Sequence, residues 1–129
     1  MSVETAIRTR LVTHPGTSAL VASRVFPQLM PQGTILPAVT YSVVSRTTEP
    51  TMGYANSGMW ATLIQIDCWA ETYAGVKALA DQVRAGLMDW HQESPEPIWR
   101  VLHQSEEDSF ESETSLFRVS MDFEILSPA

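Results

Sequence analysis

Hydrophobic residues recur along this chain with two different spacings, and each spacing predicts a different kind of element. After Ser2, a residue type common at helix N-caps, apolar residues repeat at three- and four-residue intervals, which predicts a short amphipathic helix that ends before Pro15. Residues 17–23 are compatible with one further helical turn. The same spacing starts again after Thr72 and continues to about His91, and it predicts the longest helix of the chain.

Alternation of apolar and polar residues marks the predicted strands. It occurs in four segments, which are residues 38–47, 59–70, 98–104 and 116–125. The stretch 27–37 is an extended connection rather than a helix, because three prolines interrupt it. These elements predict a single α+β domain over residues 1–129, with an antiparallel sheet of about four main strands and the N-terminal and long helices packed on one face.

Two loops, at 27–37 and 48–58, carry or adjoin more apolar side chains than a solvated connection usually holds. Large exposed apolar patches mark contact surfaces, so we predict an interface built from these loops and from the less apolar face of the sheet. The candidate interface residues are Leu29, Met30, Ile35, Leu36, Met52, Tyr54, Met59, Trp60, Leu63 and Trp69. The alternative is that both loops fold back on the core of the protein.

The chain is acidic, with 15 acidic and 8 basic residues and a formal charge of −7. The basic residues are scattered singly, whereas tight binding to a phosphate backbone needs clustered cations, so nucleic-acid binding of that kind is disfavoured. One acidic cluster stands out and comprises Glu106, Glu107, Asp108, Glu111 and Glu113. We expect it to form the solvated turn between the last two strands, or a docking surface for a cationic partner.

The sequence contains few groupings that carry chemistry. His14, His91 and His103 lie far apart along the chain, and there is neither a zinc-binding motif nor a glycine-rich phosphate loop. We therefore predict no metal and no cofactor. Cys68 falls in the apolar row of its strand and is expected to be an inert core residue, although a nucleophilic role beside Asp67 is the alternative.

The sequence also bears on the compartment. No apolar run approaches the roughly 20 residues of a membrane-spanning helix, and Glu4 stands where a signal peptide would carry positive charge. A single cysteine cannot form an internal disulfide, which agrees with a reducing compartment. We expect a protein that matures in the cytoplasm without a membrane contact.

Two stretches of the sequence point to one family. The first runs from Arg24 to Tyr41 and contains the sequences RVFP, PQG and LPAVTY. The second begins at Ile64 with IQIDCWA and continues to Arg84. They resemble the conserved blocks of the phage tail completion or tail terminator proteins that share the DUF3168 domain, and with the N-terminal helix and the final strand the resemblance covers nearly the whole chain. The matching positions include no catalytic residue, so the resemblance implies a structural protein that is not an enzyme.

The resemblance implies a component of the tail of a long-tailed phage, a prophage or a gene transfer agent. Such proteins form a homo-oligomeric ring, commonly a hexamer, at the head-proximal end of the tail tube, where they terminate tube growth and join the tail to the head. The implied partners are other copies of the chain, the major tail tube protein and the head–tail connector or stopper protein, while DNA passes through the ring without tight binding. The implied location is the virion tail, with the host cytoplasm as the place of assembly.

Physical considerations agree with a ring. A cyclic ring needs two different complementary surfaces on each subunit, for which the two apolar loops and the open edges of the sheet are candidates. Net negative charge suits a channel along which DNA slides. Two alternatives stay open, namely a head-side connector or stopper protein of the same particle, and a small α+β enzyme that uses Asp67, Cys68 or the glutamates.

Overall fold

The chain folds into one mixed sheet with helices packed on one of its faces. The computed structural model describes residues 2–48, 59–88, 90–93 and 96–128. The elements in this part are α1 (Val3–Thr13), α2 (Pro15–Val21), β1 (Val25–Pro27), β2 (Ala38–Thr48), β3 (Met59–Ala70), α3 (Tyr73–Leu87), β4 (Arg100–Glu111) and β5 (Leu116–Pro128). None of the described helices is long and apolar enough to cross a bilayer.

The sheet has the strand order β1-β2-β3-β5-β4. The four long strands pair antiparallel with one another, as their alternating patterns predict. The short strand β1 adds to the edge of β2 in parallel, with Val25 opposite Val39 and Pro27 opposite Tyr41. The prediction of an α+β fold with a largely antiparallel sheet is therefore confirmed, and the structure adds one short parallel strand, β1, outside the four predicted strand segments.

Side-chain caps fix where the helices begin. The Ser2 hydroxyl accepts the Thr5 backbone N–H at 3.2 Å, and the Thr72 hydroxyl accepts the Gly75 N–H at 3.0 Å. Each cap satisfies one N–H that has no carbonyl partner within its helix. The first helix ends before Pro15, as predicted, and this proline then occupies the first position of α2, where its missing N–H costs nothing.

The long helix is shorter than its hydrophobic spacing predicts. It ends at Leu87, because Met88 adopts an extended backbone, and the predicted continuation to His91 is wrong. Trp90 supplied the last apolar position of the predicted helix, but its backbone N–H instead forms a turn with the Leu87 carbonyl at 3.2 Å. The Trp90 ring is nevertheless buried, with the Arg10 guanidinium 5.6 Å from its centroid. Trp90 is thus a buried residue that lies outside the helix, and its apolar side chain made the predicted helix too long.

The core lies between the helices and one face of the sheet. Its fully buried sheet positions are Ile64, Ile66, Cys68, Val119, Met121, Phe123 and Ile125. The helices cover them mainly with Val3, Ile7, Leu11, Val76, Leu79, Val83 and Leu87. Each large apolar side chain contributes on the order of 1.5–3 kcal/mol by leaving water, so this layer provides most of the driving force for folding.

Candidate assembly surfaces

The face of the sheet opposite the helices is lined by polar side chains. At its centre Asp67 accepts a hydrogen bond from the Ser120 hydroxyl at 2.5 Å and another from the Gln65 amide at 3.0 Å. On the neighbouring strands the Ser105 hydroxyl donates to Asp122 at 3.0 Å. Alternation explains this composition, because residues one position away from the core rows of β3 and β5 point to this side.

This open face forms a shallow depression of about 210 Å³, and it carries a net negative charge. Its acidic residues Asp67, Glu107, Asp122 and Glu124 outnumber its basic residues Arg100 and Arg118, which lie opposite Leu126 and Trp69 on the same face. The lining residues of the depression are Gln65, Ser105, Glu107, Ser109, Arg118, Ser120 and Asp122. Such a surface repels a phosphate backbone and offers no cationic cluster to hold it.

Two of the candidate interface residues, Leu63 and Trp69, lie half-buried on this same open face. The Trp69 indole N–H donates to the Thr40 hydroxyl at 3.1 Å, and the Arg118 guanidinium lies 5.4 Å from the ring centroid. Leu63 lies at the other end of the face, opposite Glu124 of β5. Both residues are therefore accessible from the side of the sheet that no described helix covers.

The proline-bounded loop leaves two of its apolar side chains in solvent. Leu29 is 82% exposed and Ile35 is 71% exposed, whereas Met30 and Leu36 are half-buried. The Arg24 side chain donates to the Pro37 carbonyl at 3.1 Å and so ties the end of the loop to the chain before β1. The loop does not fold its apolar tips into the core.

The second apolar loop is described only at its end. Met52 and Tyr54 lie outside the described residues, as does the side chain of Met59, whose backbone begins β3. Trp60 is half-buried, and the Arg46 guanidinium of the adjacent strand lies 4.7 Å from its ring centroid. Trp60 is therefore partly accessible at this end of the sheet.

The acidic cluster does not form the turn that the sequence predicts. Glu106 and Asp108 lie within β4 on the helix side, and two basic residues of α3 pair with them. Arg84 donates to Glu106 at 2.6 Å, and the Lys77 ammonium lies 3.2 Å from Asp108. The hydrogen bond with Asp108 raises the pKa of Lys77. These two carboxylates are thus largely neutralised within the chain and are unsuited to dock a cationic partner.

The other three acidic residues divide between two places. Glu107 faces the open side of the sheet, opposite Ser120. Glu111 is the last residue of β4, and Glu113 lies in the four-residue turn at 112–115 that joins β4 to β5. The expected solvated turn therefore exists, but it is shorter and holds fewer acids, because β5 offers a pairing partner as far as Glu111.

An aromatic cluster that the sequence pattern did not reveal lies near the turn between β4 and β5. The Phe110 and Phe117 ring centroids are 4.8 Å apart, and Tyr73 meets Phe117 edge-on at 5.9 Å. Tyr73 and Phe110 each remain about half exposed. Exposed aromatic side chains with a charged rim are typical of protein–protein contacts. The signal available in the sequence was Phe110 itself, an aromatic residue amid the acidic segment.

The groups considered for catalysis are not arranged as a reactive site. Cys68 is fully buried, and burial, aided by the charge of Asp67, raises the pKa of its thiol. A raised pKa keeps the sulfur protonated and unreactive, so the expectation of a core cysteine is confirmed. Among the described residues, no three His, Cys, Asp or Glu side chains are grouped as metal ligands would be.

Comparison with known proteins gives matches of two kinds, to a protein family and to solved structures. The sequence profile of the family described as tail completion protein gp17 matches residues 5–127. A chain in the solved structure titled "Virion of native gene transfer agent (GTA) particle" has a similar fold, with a TM-score of 0.75 and 16% identity, over 99% of this chain and 96% of that one. No curated protein sequence matches.

Proposed function

The chain belongs to the tail completion protein gp17 family, and from this premise we propose that it forms a ring at the head-proximal end of a phage-like tail. Family membership makes it a structural protein of the virion tail and confirms the resemblance seen in the two sequence blocks. The proposed ring terminates growth of the tail tube and joins the tail to the head connector. Its proposed partners are other copies of the chain, the major tail tube protein and the connector or stopper protein.

The family match carries this proposal, because it extends over nearly the whole chain and the name of the family refers to tail completion. The fold supports it independently, since a chain of the same architecture is part of a gene transfer agent virion. We infer that this chain acts in a particle of that general kind. Such a function depends on shape and on contact surfaces rather than on a reactive group.

The open face of the sheet supports a channel role. A ring through which DNA passes needs a wall that does not bind phosphate, and this face carries Asp67, Glu107, Asp122 and Glu124 against the two cations Arg100 and Arg118. We propose that this face, rather than the helical face, is turned toward the DNA. On the helical face Lys77 and Arg84 pair with Asp108 and Glu106, so these two acids do not present unpaired negative charge to DNA there.

The apolar residues left in solvent support contacts between copies. Leu29 and Ile35 lie beside β1, at one edge of the sheet, while Phe110 lies on β4, at the opposite edge. A heterologous ring uses two different patches of each subunit, so one patch at each edge has the required arrangement. Met52 and Tyr54, in the second loop, are proposed as further contacts.

Imaging of particles from a strain that lacks the gene tests the proposed role. We expect tail tubes of irregular length that are not joined to heads, and restoration of normal particles when the gene is supplied in trans. Tails of normal length joined to heads in the deletion strain would contradict the proposal. Crosslinking separates the head-side alternative, because a terminator contacts the major tube protein whereas a stopper contacts only the connector side.

A separate variant addresses the enzyme alternative. Cys68→Ala combined with Asp67→Asn removes the thiol and the carboxylate that a reaction would use, while the size of both side chains changes little. We expect complementation of the deletion strain by this variant. Loss of complementation by a variant that still folds would instead favour chemistry at this position.

A further inference from the structure

The outer edge of β2 is only partly covered. Strand β1 pairs with Val39, Thr40 and Tyr41, whereas β2 continues to Thr48. Beyond β1, residues 42–48 pair with β3 on one side, except for Val44 at a bulge, and no described strand lies on the other side. An uncovered strand edge presents unpaired backbone N–H and C=O groups, and these are a template for a further strand.

The hydrogen bonds at β1 show which backbone groups face outward. The Val39 N–H donates to the Arg24 carbonyl at 3.0 Å, and the Tyr41 carbonyl accepts the Gln28 N–H at 2.7 Å. By the two-residue period of a strand, the backbone groups of Val43 point the same way, just past the end of β1. A groove of about 320 Å³ opens at this step, lined by Glu4, Pro27, Gln28, Tyr41, Ser42 and Val43.

The side chains of this edge do not protect it. Val43 and Val44 are both exposed, Val44 at 54%. Natural sheets protect free edges with charged residues, proline, β-bulges or a covering segment, and this edge has one bulge, between Val43 and Ser45. Residues 42–48 contain no proline and no acid, and Arg46 is their only charged residue. An edge with a single charged residue and two exposed valines is suited to pairing with another chain on either side of its bulge.

The opposite edge of the sheet is β4, which is long and acidic. Within the described residues it pairs with β5 alone, and its second half contains Glu107 and Glu111 besides Glu106 and Asp108, which Arg84 and Lys77 already neutralise in large part. Pairing of β4 with β4 of another copy would place these acids against one another, and like charges on adjacent strands are destabilising. Residues 42–48 of β2 place no acid against them and supply Arg46, and the groove beside them adds one acid, Glu4.

The directions of the strands agree with this choice. Three successive antiparallel pairings separate β2 from β4, so the two edge strands of one subunit run in opposite directions. In a cyclic ring each subunit is related to the next by rotation, and β4 of one copy then meets β2 of the next in an antiparallel pair. An antiparallel pair is slightly more stable per residue than a parallel pair. The contact joins two different edges, so it is heterologous, as a cyclic ring requires.

We propose that residues 42–48 of β2 accept strand β4 of a second copy, so that a continuous sheet closes the ring. The inference rests on the ring of the proposed function and specifies its subunit contact. The groove at the end of β1 receives side chains of the incoming strand. The polar faces of successive copies then join into one surface on the same side of the ring.

Paired cysteines test the contact in assembled particles. Ser42 and Ser105 lie at the same level of the open face, because Ser42 pairs with Gln65, Gln65 with Asp122, and Asp122 with Ser105. Within one subunit they are three strand spacings apart, about 14 Å. A disulfide needs Cα atoms within about 7 Å, so any disulfide between these positions joins two copies. Cys68 is buried and does not compete.

The experiment uses Ser42→Cys combined in turn with Ser105→Cys or Ser109→Cys, since ring closure shifts the register by an unknown number of residues. Each single-cysteine chain serves as the control. Particles purified from the complemented deletion strain are oxidised and run on a non-reducing gel. We expect at least one pair to give a ladder from dimer up to the copy number of the ring, and the ladder to collapse on reduction.

Three results would overturn the inference. Dimers from Ser42→Cys alone would show that two β2 edges pair with each other. Dimers from Ser105→Cys alone would show the same for β4. No ladder from either pair, in particles whose micrographs show the ring, would place the subunit contact elsewhere and leave the proposed function intact. Particles without any ring of this chain would contradict both.

Discussion

The ion pair between Arg84 of α3 and Glu106 of β4 is expected to stabilise the fold measurably. Arg84 Nη1 donates to Glu106 Oε1 at 2.6 Å, and the side chains retain only 29% and 23% of their accessible surface. The backbone of Glu106 is exposed because β4 is an edge strand, so the pair is partly screened by water. His103 Nε2, at 3.6 Å, adds a second partner whenever its ring is protonated.

The partial exposure of this ion pair sets the size of its expected coupling energy. Fully exposed ion pairs contribute about 0.2–1 kcal/mol, and hydrogen bonds to charged groups in less exposed sites about 1.5–3 kcal/mol. Because solvent reaches one side of this pair, we expect a coupling energy of about 0.5–1 kcal/mol. Arg84 also contacts Asp81, so the loss in Arg84→Met alone overstates the contribution of Glu106. A double-mutant cycle removes that difficulty.

Urea unfolding of the wild type, Arg84→Met, Glu106→Gln and the double variant measures the coupling. Glu113→Gln is the matched control, because Glu113 lies in the exposed turn and its substitution should change the free energy of unfolding by less than about 0.5 kcal/mol. High salt should reduce the coupling. A coupling near zero, or an equal cost for Glu113→Gln, would refute the conclusion that β4 acids hold α3 to the sheet.

Three further predictions concern the core and the surface. Because burial raises the pKa of Cys68, folded protein should resist thiol alkylation at about pH 8 and react only on unfolding, and labelling at the rate of a free thiol would contradict this. Phe123→Ala should cost about 3–5 kcal/mol in urea unfolding and Phe110→Ala less than about 1 kcal/mol, and similar costs would mean that Phe110 is a core residue. Leu29→Ser combined with Ile35→Ser should leave the unfolding midpoint unchanged but reduce the amount of the chain in purified particles, measured by immunoblot, whereas normal incorporation would exclude this loop as a contact.

Much of the fold could be predicted from local patterns. From Arg118 onward, the alternation in β5 identified its buried and polar faces correctly, because each side chain of a strand has only two directions available. The N-caps at Ser2 and Thr72 were equally local, since a cap bonds to an N–H three residues away. The sequence therefore predicted where helices begin more accurately than where the long helix ends, which the buried ring of Trp90 obscured.

The prediction of a turn for the acidic segment was wrong because its conformation depends on residues far away in the sequence. Four acids within twelve residues favour a solvated turn on composition alone. Their strand conformation depends on pairing with β5, and Lys77 and Arg84 neutralise two of them from more than 20 residues away along the chain. No pattern within residues 100–111 carries that information.

The candidate surfaces also divide into features that the local sequence predicts and features that only the folded chain reveals. That the proline-bounded loop exposes Leu29 and Ile35 agrees with its composition, whereas the cluster of Tyr73, Phe110 and Phe117 draws on three elements and emerges only when the sheet is assembled. The free edge of β2 was likewise invisible in the sequence, because it results from β1 covering only the first part of a longer neighbour.

The position of this chain in the intact particle tests the central claim most directly. Cryo-electron microscopy of purified particles should show a closed ring of copies between the last ring of the tail tube and the head connector, with Leu29 and Ile35 at contacts between copies and the open face of the sheet toward the DNA. Isolated subunits with these loops folded onto themselves, or copies placed away from the head-proximal end of the tail, would contradict the account.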